Sequence, residues 1–72
     1  MLEATGGKLD RALSLLEKSR AANPDHPLTW LNLGVTWEAK QDRARAAACY
    51  REAIRLQPDF LEARHRLNAL SQ

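Results

Sequence analysis

Cysteine, glycine and proline are scarce in this sequence, and no long apolar run is present. The single cysteine, Cys49, rules out a disulfide within the chain. A chain without staples suits a reducing compartment, so a cytoplasmic location is expected. No stretch approaches the roughly 20 apolar residues of a membrane-spanning helix. Met1 to Lys8 has neither an apolar run nor a basic leader, which argues against a secretory signal. Charge of one sign is lacking too. Eleven Lys and Arg stand against nine Asp and Glu, a net charge of +2. That falls short of the dense basic patch of a nucleic-acid-binding surface.

Strand formers are few, while alanine, leucine, arginine, glutamate and lysine dominate, and these favour helices. At 72 residues the chain is one small domain with a thin core. A chain of this size buries only about 60% of its unfolded surface. The breakers are regularly placed at Gly6-Gly7, Asn23-Pro24 with Pro27, Gln41-Asp42, and Gln57-Pro58-Asp59. They divide the chain into four helix-length segments.

The first helix is expected from Lys8 to Ala22, with Leu9, Ala12, Leu13, Leu16 and Ser19-Arg20 at steps of three and four. Pro24 stops it. The second is expected from Pro27 to Lys40, since proline suits a first helical position. Trp30, Leu33, Gly34 and Trp37 share one of its faces. The third is expected from Asp42, a capping residue, to Leu56, with a stripe of Ala46, Tyr50, Ala53, Ile54 and Leu56. The fourth is expected from Asp59, in a capping box with Glu62, to Leu70, with Ala63, Leu67 and Leu70 buried. Short connections make neighbouring helices antiparallel.

A shift of 34 residues lays the chain on itself. Arg11-Ala12 falls on Arg45-Ala46, Leu16 on Tyr50, Asn23-Pro24-Asp25 on Gln57-Pro58-Asp59, and Leu33 on Leu67. Such a period signals stacked repeats. Residues 27–60 carry Trp30, Leu33-Gly34, Trp37, Ala46, Tyr50, Ala53 and Pro58 at fixed spacing. This segment resembles the tetratricopeptide repeat, whose signature is W-x2-L-G-x2-Y, A-x3-F and P. Trp37 and Tyr50 depart from it by mild aromatic exchanges. The resemblance implies an all-α fold, an antiparallel helix-turn-helix repeat stack of about four helices. Gly34 and Ala46 would allow close approach, with Trp30 and Tyr50 filling the space beside them. Residues 1–26 then read as the second helix of a truncated repeat, 27–60 as a complete repeat and 61–72 as a capping helix. Gly7 falls where the turn between paired helices belongs, and the missing first helix suggests a piece of a longer protein. Arg64, Asn68 and Ser71 replace Trp30, Gly34 and Trp37 on the last helix, as a solvent-facing cap requires.

In that family the first helices of successive repeats line a concave groove that holds peptides or partner helices. Carried over residue by residue, the groove set is Leu28, Leu31, Val35, Glu38 and Ala39, joined by Glu62, His65 and Ala69. An apolar segment would lie there, with Glu38, Glu62 and His65 as a polar rim. The plain alternative is that Leu28 and Leu31 pack on the first helix. Members that clamp a terminal carboxylate use a lysine and asparagines in the groove. Here Leu31, Val35 and Ala69 occupy three of those places. Arg66 and Asn32 cannot make the clamp alone.

A self-association face is expected at Leu9, Leu13 and Leu16, which a second copy could cover by edge stacking or helix swapping. Partners are therefore a protein or peptide segment, or another copy, with no membrane. Nucleic acid is disfavoured because Glu17, Glu52 and Glu62 intersperse the arginines, and Glu52 can pair with Arg55. His26, His65 and Cys49 show no metal-ligand spacing. No nucleophile elbow, phosphate loop or metalloprotease motif is present. No metal, cofactor or catalytic activity is expected, and Cys49 reads as a small filler.

Overall fold

A computed structural model describes residues 2–71, with side chains from residue 7 onward. Four helices follow one another: α1 Leu2–Ala22, α2 Pro27–Ala39, α3 Arg43–Leu56 and α4 Leu61–Leu70. The repeat is visible in their ends. Ala22 and Leu56 close α1 and α3, while His26 and Phe60 precede α2 and α4; each pair is 34 residues apart. The stack forms a slab 15 Å thick along its short axis. A slab this thin keeps every helix in reach of solvent, so the core is small.

Antiparallel packing is fixed by contacts at matching ends. Lys40, at the end of α2, bridges to Asp10 in the first half of α1 at 2.5 Å. Arg20, near the end of α1, lies over the Trp30 ring at the start of α2, 5.6 Å from its centroid. Arg45 at the start of α3 covers Trp37 at the end of α2, at 4.7 Å. Arg43 donates to the Leu70 carbonyl at 2.5 Å and so satisfies an orphan acceptor at the end of α4.

The core belongs to α2, α3 and α4. Leu31, Leu33, Ala46, Cys49, Tyr50, Ala53 and Ala63 are buried, and no described α1 residue joins them. Tyr50 is fully covered and explains Gly34 opposite it. A Cβ on Gly34 would sit 2.6 Å from Tyr50 Cδ1 and 2.9 Å from Cζ. Only glycine leaves room for that ring, as the sequence implied.

The turn from α2 to α3 is a Schellman motif. Gln41 N–H donates to the Glu38 carbonyl and Asp42 N–H to the Trp37 carbonyl, both at 2.9 Å. Gln41 takes the left-handed conformation at φ 66°, where glycine is the comfortable residue. Asp42 then caps α3 as expected, accepting from Arg45 N–H at 3.1 Å.

Two expectations about helix starts are corrected. Gly6-Gly7 does not break the chain: α1 continues back to Leu2, and Gly7 has a helical rather than a positive φ. Among the described residues nothing lies within 4 Å of a Cβ position on Gly7, and none packs there to force a turn. A helical glycine costs about 1 kcal/mol, which continued backbone hydrogen bonding tolerates. Asp59 and Glu62 do not form a capping box either. α4 begins at Leu61 behind Phe60, with no side-chain cap. The backbone bond from Phe60 N–H to the Gln57 carbonyl, at 3.0 Å, tightens the turn instead.

Candidate functional site

The helices that resemble groove-lining elements are α2 and α4, with the start of α3 beside their C-terminal ends. Between those ends lies an open cleft of about 530 Å³, lined by Glu38, Gln41, Arg43, Ala69 and Leu70. Its volume is in the range of small-ligand and side-chain pockets. Ala69 and Leu70 give it an apolar wall. Gln41, in its strained turn, and Arg43, tied to the Leu70 carbonyl, give it donors. Glu38 is held from behind, since Tyr50 Oη donates to its carboxylate at 2.6 Å. Burial, and then that acceptor, push the Tyr50 phenol well above its usual range. The phenol thus stays a donor and fixes the rotamer of Glu38 at the rim.

The expected groove residues divide into three groups. Glu38 and Ala69 meet in the cleft. Leu28, Ala39, Glu62 and His65 are exposed outside its lining, with Leu28 at 50%. Leu31 does not line the cleft. It is 3% exposed within the core cluster, and Val35 packs against that cluster half-buried. In a helix, residue 31 is three and four positions from Gly34 and Val35 and turns inward with them. Gln41, Arg43 and Leu70 were missed by sequence reasoning. Leu70 had been read as buried seam, and the other two as turn and surface charge.

Of the leucines expected as a self-association face, Leu9, Leu13 and Leu16 are half-buried, whereas Leu15, which was not among them, is 59% exposed. α1 packs chiefly on α2, so the seam leucines turn that way and Leu15 faces out.

Arg64 carries an unforeseen equivalence. The Trp30 indole N–H donates to the Pro24 carbonyl at 2.7 Å. One repeat later, Arg64 Nε donates to the Pro58 carbonyl at 2.6 Å. Arginine keeps the donor of tryptophan at this position without its apolar bulk. Asn68 and Ser71 beside it are exposed.

Among the described residues no group of three His, Cys, Asp or Glu could hold a metal ion. His26 precedes α2 in extended backbone, His65 is exposed, and Cys49 is buried. Burial, with Glu17 adding to it and Arg20 opposing, raises the Cys49 thiol to about 11. It is an inert filler at neutral pH. Among the described residues five ion pairs tie cations to carboxylates, including Arg55 to Glu52 as expected. No helix among the described residues is long and apolar enough to cross a membrane.

Antiparallel helices that recur at a fixed interval define a helical-repeat protein. Residues 27–60 match the family model of the tetratricopeptide repeat, and that segment is one such repeat. A comparison with curated proteins finds no match. The family consists in general of protein–protein interaction modules.

Proposed function

We propose that the chain is a non-catalytic module that binds a protein or peptide segment across α2 and α4, anchored in the cleft at their C-terminal ends. The observation that supports it is the cleft itself. It lies between the two groove-type helices and includes Glu38 and Ala69 from the expected set. An apolar ligand side chain fits against Ala69 and Leu70. Gln41 and Arg43 are placed to meet ligand carbonyls, and Leu28, Ala39, Glu62 and His65 extend the contact. Binding would then be an apolar anchor with a polar rim. The chain works in a reducing compartment such as the cytoplasm, where Cys49 stays a thiol.

Peptides selected from a random display library against the full chain test the reading. Ala69→Arg fills the cleft from an exposed position, so helicity is retained and affinity for those peptides falls at least about tenfold. Unchanged affinity sinks the cleft assignment. The second reading is a homo-oligomer, favoured by the exposure of Leu61, at 68%. Light scattering that finds only monomer through the micromolar range removes it.

A further inference from the structure

α1 and α3 hold equivalent places one repeat apart, yet one side of α1 is bare. Leu15 is 59% exposed, whereas its equivalent, Cys49, is 8% exposed. The fold therefore covers this side of α3, and among the described residues it leaves the same side of α1 open to solvent.

The bare side is chemically specific. Lys8, Arg11, Leu15 and Lys18 recur at steps of three and four, so they share one face. All four are exposed. The described carboxylates of α1 are already engaged, Asp10 by Lys40 and Glu17 by Arg20. No ion pair among the described residues involves Lys8, Arg11 or Lys18. A leucine framed by three cations is complemented by an apolar helix position framed by carboxylates. A second copy matches this poorly. Its carboxylates Asp42, Glu52 and Glu62 are held by Arg45, Arg55 and Arg66, and Glu38 accepts from Tyr50. Two α1 helices laid face to face would also bring like charges together.

We propose that the Lys8–Arg11–Leu15–Lys18 face of α1 is a docking surface for an acidic amphipathic helix of another protein, separate from the cleft. The probe is a synthetic helix with leucines on one stripe and glutamates on both flanks. Its controls are the same helix with lysines for glutamates and a DNA duplex of equal charge. Fluorescence anisotropy with the full chain should show binding of the glutamate helix and none of the lysine helix. Leu15→Asp should weaken binding about tenfold or more. Arg11→Glu with Lys18→Glu should transfer preference to the lysine helix. Ala69→Arg should leave binding intact, which separates this face from the cleft. All these positions are exposed, and circular dichroism confirms that the variants fold. The proposal is overturned by binding indifferent to Leu15→Asp, by DNA that binds as tightly as the glutamate helix, or by loss of binding in Ala69→Arg. It is also overturned if the chain alone dimerises through Leu15, which would give the face to a second copy.

Discussion

α3 and α1 differ less in sequence role than in company. In α3 the stripe Ala46, Cys49, Tyr50 and Ala53 is buried. In α1 the same register reads Ala12, Leu15, Leu16 and Ser19, and none of the four is buried. Identical register with unequal burial shows that the repeat pattern specifies which face is sticky. Neighbours then decide whether it is covered.

The largest expected contrast is between equivalent truncations. Tyr50→Ala empties a fully buried site and should cost about 3–5 kcal/mol, enough to unfold a marginal chain. Leu16→Ala, at the half-buried equivalent, should cost about 1–2 kcal/mol. Urea unfolding followed by circular dichroism reads both. Equal costs would mean that α1 is as well covered as α3.

Alkaline pH separates the same two stripes. The Cys49 thiol is raised from 9.0 to about 11 in the fold, and the Tyr50 phenol is raised as well. The unfolded chain therefore releases protons first as pH rises. Stability should be intact below pH 9 and fall on the order of 2 kcal/mol from Cys49 between pH 9 and 11. Cys49→Ala should remove that part of the slope, whereas Leu15→Ala should not.

The glycines should respond with opposite signs. Gly34→Ala drives a methyl into the Tyr50 ring and should cost about 1–3 kcal/mol. Gly7→Ala meets open space inside a helix and should gain about 0.5–1 kcal/mol. A loss at Gly7 would show that the turn expected from sequence forms after all. The smallest effect concerns the equivalent turn position. Gln41→Gly relieves a positive φ and should gain up to about 0.5 kcal/mol, net of the added freedom of the unfolded chain.

Much of the fold was legible because its signals are local. Pro24 and Pro58 follow helix ends, Pro27 opens α2, Asp42 caps α3, and Gly34 predicts a large neighbour. Gly7 misled because a turn also needs a packed partner to fold back on, and none is described there. Leu31 misled because the family's groove positions were transferred without asking which side of α2 faces α3. The cleft was half legible. Glu38 and Ala69 came with the resemblance, while Gln41 and Arg43 depend on a turn geometry and a cross-stack bond to Leu70. The Arg64 bond did carry a findable signal: a donor six residues after a helix-ending proline in both repeats.

The central claim is that α2 and α4 present the ligand-binding face. Amide chemical-shift mapping of the full chain with a display-selected peptide tests it most directly. The account predicts the largest shifts at Gln41, Arg43, Ala69 and Leu70, smaller ones at Ala39 and His65, and little change at Arg51 and Arg55 on α3. Shifts concentrated on α3, with the cleft residues unmoved, would contradict it.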